Sequence, residues 1–268
     1  MQETVYSFHT PLKIALLSDL HDRRFEWVVK SLRKHKPDMI CIAGDVVHRP
    51  HPIGNRLVIR QTKYALPFLR LCAKIAPSFY SLGNHEWRLS TDDLNVIADT
   101  GVTLLDNAWC EYNHVLIGGL TSAGVTAYRD YRRDKPERYP EWHFGDRPDM
   151  TEPKTAWLRD FCAQSGYRIL MCHHPEYRDR YLKNMPIDLV LSGHAHGGQI
   201  CLFGQGLFAP GQGFLPKYTS GIHGNLIISR GLSNTGGSIP RLFNPTEIVY
   251  IEPNAQTRKN SGRFLGDS

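Results

Sequence analysis

The chain has 268 residues, 41% of them hydrophobic and 22% charged, the ordinary make-up of a soluble globular protein with a sizeable core in one large domain or two small ones. A formal charge of +6 leans towards anionic partners (phosphorylated metabolites, acidic lipid surfaces, nucleic acid), yet without a long Lys/Arg run the plainer reading is a moderately basic soluble enzyme. Six scattered cysteines with no Cys-x-x-Cys pair exclude a disulfide framework, and apolar runs such as Ile14–Leu17 fall far short of the roughly 20 residues of a spanning helix, so a cytoplasmic protein is expected.

Residues 13–18 form a short apolar run ending in Asp19-Leu20-His21, the pattern of a buried strand that delivers polar groups at its carboxyl end. Phe25, Val28, Val29 and Leu32 recur at helical spacing, and a helix there should stop before Pro37. Residues 38–43 read as a second buried strand, delivering Gly44-Asp45. Tyr64, Phe68, Leu71, Cys72 and Ile75 mark a second amphipathic helix, with Pro67 in an early turn or at a kink. A third strand over 78–82 delivers Gly83-Asn84-His85-Glu86, and Ser90-Thr91-Asp92-Asp93 resembles a capping box for a short helix stopped by Gly101. This alternation is the mark of a parallel α/β sheet, whose site lies at the carboxyl ends of its strands.

The pattern then changes. Residues 102–106, 109–112 and 115–120 are closely spaced strand-like pieces suited to an antiparallel meander. Residues 128–150 mix Arg129, Arg132, Arg133, Lys135 and Arg138 with acidic and aromatic residues, carry several prolines and show no period, so a long surface insertion is expected. Pro153 opens a helix with an apolar face of Trp157, Leu158 and Phe161. Residues 168–172 form a strand delivering His173-His174-Pro175, and 187–191 one delivering Gly193-His194-Ala195-His196. From Gln199 strand pieces alternate with Gly-rich turns, 226–229 and 247–251 read as closing strands, and the polar tail 256–268 as frayed. One domain over 1–255 is the expected organisation.

Collected, the strand ends present Asp19, His21, Asp45, Asn84, His173, His194 and His196. In His194-Ala195-His196, two imidazoles separated by two positions at the end of a strand point the same way, and small neighbours let the backbone approach a bulky ligand. Alone, such a pair is as often solvated and inert; five strand-end clusters in register are strong evidence. A carboxylate can bridge two cations, imidazole suits zinc, iron or manganese, and an amide oxygen can complete a shell. With no thiolate in the set a structural zinc-thiolate site is excluded, and mixed oxygen and nitrogen ligands leave room for water, which points to catalysis.

Taken in order, Asp19-x-His21, Gly44-Asp45, Gly83-Asn84-His85-Glu86, His173-His174-Pro175 and Gly193-His194-Ala195-His196 resemble the five blocks of the calcineurin-like metallophosphoesterase superfamily. Gly197-Gly198-Gln199, Arg230-Gly231 and Pro240-Arg241-Leu242-Phe243-Asn244-Pro245 are further similar to a bacterial branch of phosphodiesterases that includes membrane-associated enzymes and a UDP-diacylglucosamine pyrophosphohydrolase. The resemblance runs from about Leu12 to Glu252. It implies an α/β fold, a four-layer αββα sandwich of two mixed β-sheets flanked by helices. It implies one divalent ion held by Asp19, His21, Asp45 and His196 and a second by Asp45, Asn84, His173 and His194, with Asp45 bridging and manganese, iron or zinc as the ions. His85 would face the substrate phosphate, Glu86 would orient rather than ligate, and His174 would stand behind the ligands or exposed. The branch carries an amino-terminal anchor or export signal, whereas this sequence starts almost at its first strand, so membrane contact is expected to be peripheral at most.

The activity so implied is hydrolysis of a phosphodiester or pyrophosphate bond. Two ions would bind a bridging hydroxide and the phosphoryl oxygens, and His85 would stabilise the transition state or protonate the leaving group. Eukaryotic protein phosphatases resemble Gly-Asp-x-x-Asp-Arg-Gly and Arg-Gly-Asn-His-Glu. Here Val46-Val47-His48-Arg49-Pro50 follows Asp45 and Leu82 stands in place of that Arg, which argues against a phosphoprotein substrate. The expected substrate is a small phosphorylated compound, lipid- or nucleotide-linked, with the apolar loop 203–215 either shaping its pocket or packing in the core. No obligate protein partner is indicated. Two other readings stand beside this one. A nuclease draws on the basic residues 129–138, although no stacking platform accompanies them; a metal-binding scaffold without catalysis is opposed by the intact ligand set and His85.

Overall fold

The computed structural model describes residues 1–48, 57–134, 152–234, 240–255 and 257, with backbone alone over 131–134. The chain opens on β1 (Gln2–Phe8), a strand without a buried apolar run, because alternate residues face solvent and Val5 is 50% exposed. The fully buried runs that follow are β2 (Ile14–Leu17), β3 (Met39–Ala43) and β4 (Ser78–Ser81). Between them α1 (Glu26–His35) ends on a left-handed Lys36 just before Pro37, and α2 (Ala65–Ile75) takes Pro67 in its first turn, where a missing N–H is tolerated. The amides that open α2 are met from outside by Asp22, which accepts from Lys63, Tyr64 and Ala65 at 3.0, 2.6 and 2.9 Å. α3 (Thr91–Ala98) carries its capping box: Asp93 N–H donates to Ser90 Oγ at 3.2 Å and Ser90 N–H to Asp93 Oδ2 at 2.8 Å.

β5 (Thr103–Leu104) corrects the expected meander over 102–120. It pairs in parallel with β4 and ends the first sheet, so only β6 (Ala108–Tyr112) and β7 (Val115–Leu120) form an antiparallel hairpin. α4 (Ala123–Asp134) corrects the start of the expected insertion: 128–134 continue a helix, and Tyr128 is buried edge-on against Trp87. The rest of that insertion and nearly all of the tail lie outside the described residues. α5 (Leu158–Ala163), β8 (Tyr167–Cys172) and β9 (Leu189–Ser192) follow. Then come two short hairpins, β10 (Cys201–Leu202) with β11 (Gln205–Gly206) and β12 (Phe208–Ala209) with β13 (Gly213–Phe214). Phe203, in the turn of the first hairpin, and Phe214 and Leu215, at the open end of the second, are exposed and do not pack in the core. β14 (Gly221–His223), β15 (Leu226–Ile228) and β16 (Glu247–Pro253) close the chain.

Two six-stranded sheets result, in the orders β1-β16-β2-β3-β4-β5 and β14-β15-β9-β8-β7-β6. Both are mixed: β16 runs antiparallel to β2, and the β14–β15 and β6–β7 pairs are antiparallel among otherwise parallel neighbours. Because side chains alternate, every central strand serves two cores. Ile14, Leu16, Met39, Cys41, Met171 and Leu191 meet between the sheets. Ala15, Leu17, Ile40 and Ile42 pack under Val28 and Leu32 of α1 and Phe68 of α2, and Leu170, Cys172 and Val190 pack under Leu158 and Phe161 of α5. Three cores separate four layers, the expected αββα sandwich. Burial of each large apolar side chain contributes about 1.5–3 kcal/mol, which is why the central strands are unbroken apolar runs. All six cysteines are free, and Cys41, Cys72 and Cys172 are buried as small hydrophobes. Among the described residues, no helix is long and apolar enough to cross a membrane.

Glu3 ties β1 to α1, accepting from Ser31 Oγ at 2.6 Å, Lys34 Nζ at 2.7 Å and His35 Nε2 at 3.1 Å. Lys34, Ser31 and His35 hold its carboxyl down to about 2 from the ordinary 4.5. A carboxyl depressed by folding stabilises fully above its unfolded pKa, and that contribution drains away as pH falls from 4.5 towards about 2. Solvent screening keeps it under about 1 kcal/mol. Glu3→Gln is expected to remove this acid-side slope from urea unfolding measured across that window, with little change below it.

Candidate metal centre

Strand ends from both sheets converge on one volume. Asp19 and His21 follow β2, Asp45 follows β3, Asn84 and His85 open a 3-10 turn after β4, His173 follows β8, and His194 and His196 follow β9. The parallel ladder continues into these loops: Asp19 N–H donates to Gly44 O at 3.1 Å, His21 N–H to Asp45 O at 2.9 Å and Gly193 N–H to His173 O at 3.1 Å. Asp19, His21, Asp45, His194 and His196 all lie at φ between 46° and 65°. Left-handed backbone costs an ordinary residue about 1–2 kcal/mol, so the strain gathered here serves the aim of the side chains. Gly44 and Gly83 make the approach possible. At Gly44 (φ 85°) a Cβ would stand 2.6 Å from Gly83 Cα and 2.7 Å from His173 Nδ1, and on Gly83 it would strike Asp45 Oδ1.

Two groups of donors face each other. In the first, Asp19 Oδ1 is 3.6 Å from His21 Nε2 and 3.5 Å from His196 Nε2, and the two imidazole nitrogens are 3.4 Å apart. In the second, atoms of Asp45, His173 and His194 lie within 4.8 Å of one another, with His173 Nε2 3.2 Å from Asp45 Oδ2 and 3.1 Å from Asn84 Oδ1. Asp45 Oδ2 is also 3.8 Å from His21 Nε2, so it faces both groups. His85 N–H donates to Asp45 Oδ1 at 2.8 Å, and its Nε2 lies 3.8 Å from Asp45 Oδ2.

This donor set fits divalent cations. Two nitrogens each ~2.1 Å from one tetrahedral ion stand ~3.4 Å apart, longer than an N–H hydrogen bond and close to the separations seen. Asp19 Oδ1 is buried without a hydrogen-bond partner, a placement that leaves a carboxylate oxygen uncompensated unless a cation meets it. Burial opposes charge on Asp19 and Asp45, but His196 and His21 hold Asp19 below its ordinary value, and His173 and His85 do the same for Asp45. Burial presses His194 well below its ordinary value and His196 down to about 4, so both offer lone pairs at neutral pH. Against burial, Asp45 raises His173 to about 10: the carboxylates draw positive charge to its Nε2, while its Nδ1 engages Ala43 O at 2.7 Å.

Further residues hold the donors still. Glu86, fully buried, accepts from the amides of Asp45 (2.9 Å), Val46 (2.8 Å), Val47 (3.2 Å) and Gly83 (2.8 Å), binding the Asp45 loop to the Asn84 turn. His174 Nε2 engages Ser122 Oγ at 2.7 Å and its Nδ1 faces Glu176 Oε1 at 3.2 Å, while its ring stacks on Tyr177 and backs His194. His174, Glu176 and His194 also lie within 4.8 Å of one another, but both nitrogens of His174 are already engaged. Asn244 donates to His196 O at 2.7 Å and Gln199 O at 3.1 Å, fixing the left-handed turn between them. Arg241 braces that loop through the carbonyls of Asn244 (2.6 Å), Ser233 (3.0 Å) and Arg230 (2.5 Å).

All eight side chains singled out from the sequence are brought together here. Two contributors were not singled out. Exposed His48 stands with its ring 5.7 Å from His21 and 5.5 Å from His85. Its signal in the sequence is a histidine three residues past Asp45, within the stretch that departs from the protein-phosphatase pattern. Asn244 had no signal beyond its place in the closing Pro-Arg-x-x-Asn-Pro stretch, because its bond to His196 joins residues far apart in sequence.

A family model described as calcineurin-like phosphoesterase matches residues 12–198. An uncharacterized metallophosphoesterase of Helicobacter pylori (strain ATCC 700392 / 26695) is 29% identical over 249 residues, covering 90% of this chain and 59% of that one. An uncharacterized metallophosphoesterase of Aquifex aeolicus is 28% identical over 262 residues, covering 90% of this chain and 85% of that one. Phosphodiesterase YaeI of Escherichia coli K12 is 26% identical over 261 residues, covering 90% and 82%. The chain therefore spans somewhat under two thirds of the Helicobacter protein's length.

Proposed function

Because the chain belongs to the calcineurin-like phosphoesterase family, we propose that it hydrolyses a phosphodiester or pyrophosphate bond at a dinuclear centre. Asp19, His21, Asp45 and His196 would hold one divalent ion and Asp45, Asn84, His173 and His194 the other. The observation that carries this reading is Asp45 Oδ2, 3.2 Å from His173 Nε2 and 3.8 Å from His21 Nε2, a single carboxylate oxygen facing two donor groups. Ions bound there would supply Lewis-acid polarisation of the phosphoryl oxygens and a nucleophilic water at neutral pH.

The chain's own residues set the remaining terms. Neutral His194 and His196 add no charge to repel a cation, and Asn84 offers an uncharged oxygen beside His173. His85, held through its backbone N–H by Asp45, has its Nε2 3.8 Å from Asp45 Oδ2, beside the donor set, where it would hydrogen-bond the phosphoryl group or give a proton to the leaving oxygen. The preference for a diester is supported by the similarity to YaeI, itself named a phosphodiesterase. Of the basic residues behind the nuclease reading, Arg129 is paired with Asp106, and the side chains of the others lie outside the described residues.

Purified protein given manganese is expected to hydrolyse bis-p-nitrophenyl phosphate faster than p-nitrophenyl phosphate, to stop with a chelator, and to recover when manganese returns. His173→Ala should abolish turnover, whereas His174→Ala, whose ring backs the donors, should keep most of it. Turnover that survives chelation, or equal loss at the two histidines, would sink the assignment.

A further inference from the structure

Large apolar side chains are turned to solvent at the tip of the first hairpin after His196 (Phe203), at the open end of the second (Phe214, Leu215) and in the turn around Leu242 (Phe243). Phe203 shows 108% of its reference surface, Phe214 84%, Phe243 79% and Leu215 69%. Scattered exposed hydrophobics are normal, but here four large ones sit on turns that hydrogen-bond to one another. Phe203, Leu215 and Phe243 also sit at φ 50°, 48° and 52°, left-handed turn positions that a large side chain rarely occupies.

Backbone bonds knit these turns into one unit. Leu207 N–H donates to Ile200 O at 2.9 Å, Leu215 N–H to Leu207 O at 2.9 Å, Cys201 N–H to Leu242 O at 3.0 Å and Leu242 N–H to Gln199 O at 3.2 Å. Gln205 Nε2 adds a bond to Pro216 O at 3.1 Å. Charge is distributed to match. Between Asp188 and Glu247 the chain has no acidic residue, although it holds 26 in all; the only Lys or Arg residues there are Lys217, Arg230 and Arg241.

We propose that this apolar tip inserts into the interface of an anionic lipid bilayer and seats the strand-end site beside the membrane surface. Separate side chains projecting from turns enter a fluid apolar layer without needing a fitted pocket for each, as a protein partner would have to provide. The turns pair much of their backbone internally, the condition for leaving water cheaply. The segment carries no carboxylate of its own, and Asp179, which packs on it, is ion-paired with Lys217 at 2.6 Å, so little uncompensated negative charge faces acidic headgroups, while the net charge of +6 adds long-range attraction. Such seating is independent of which bond the metal centre cleaves.

The test is co-sedimentation of the full chain with sucrose-loaded vesicles of phosphatidylglycerol and phosphatidylcholine. The protein is expected to pellet with mixed vesicles and more weakly with phosphatidylcholine alone. The triple variant Phe203→Ser, Phe214→Ser, Phe243→Ser should lose at least about tenfold in partition coefficient, and Phe203→Ser alone a measurable part of that. Thermal unfolding of both variants should match the unsubstituted chain. Protein left in the supernatant with mixed vesicles, equal binding to both lipid compositions, or a triple variant that pellets fully would overturn the proposal. So would light scattering that shows a dimer split by the substitutions, since the tip would then be a contact between copies.

Discussion

Replacing Glu86 with alanine is expected to cost at least about 3 kcal/mol of stability and most of the affinity for metal. The carboxylate is the acceptor for the amides of Gly83, Asp45, Val46 and Val47, in a place fully shut off from water. A buried backbone donor left without a partner costs about 1–3 kcal/mol, so several orphaned together outweigh any gain from removing a buried charge. Burial and the neighbouring Asp45 do push the Glu86 carboxyl up to about 7, but the amide of Asp45 pulls the other way. Glu86→Gln separates the two contributions: Oε1 serves Val46 and Val47 while Oε2 serves Gly83 and Asp45, so an amide side chain can satisfy only one pair. It should lie between alanine and the native residue in urea unfolding and in manganese content. A Glu86→Ala protein as stable as the parent would show that the Asp45 loop holds its left-handed shape unaided.

Asp45→Asn is expected to reduce kcat/KM on bis-p-nitrophenyl phosphate by on the order of 10³-fold, the scale of losing one preorganised electrostatic contact in a reaction site. The substitution keeps the size of the side chain and leaves an oxygen to accept from His85 N–H, so the loop should stay in place. It removes the anionic oxygen that faces His173, His21 and His85 at 3.2, 3.8 and 3.8 Å. Metal analysis after gel filtration should find fewer than two ions per chain. Two ions and near-native turnover would mean that Asp45 does not join the donor groups. Glu86 and Asp45 thus make opposite pairs of predictions, one losing structure and function together, the other function with the fold intact.

Much of this could be read from local pattern, for a physical reason. Buried parallel strands are unbroken apolar runs, and each puts its polar cargo at the carboxyl end, so the residues after β2, β3, β4, β8 and β9 announced themselves. The capping box at Ser90 and the stop before Pro37 are equally local. What escaped was set by distant partners. β1 is a half-exposed strand that among the described residues pairs with β16 alone, and β5 is two residues long and joins the first sheet through β4. α4 hid in a charged stretch with no apolar period, although Tyr128 within it is buried. At the site, ligand types were visible, but the four amides gathered by Glu86 and the clasp of Asn244 on His196 are tertiary bonds without a sequence motif.

The last strand among the described residues, β16, lies not at an edge but between β1 and β2, hydrogen-bonded to both. During synthesis the amino-terminal half therefore emerges with a gap in its sheet: β2 stands with an open flank, and β1 has no partner at all. That gap stays unfilled while the entire second sheet is translated. Folding of the first sheet must finish after the ribosome has delivered residue 253, and until then the bare flank of β2 is a template for pairing with other nascent chains. Truncation just before Glu247 would make that transient state permanent and should yield insoluble protein.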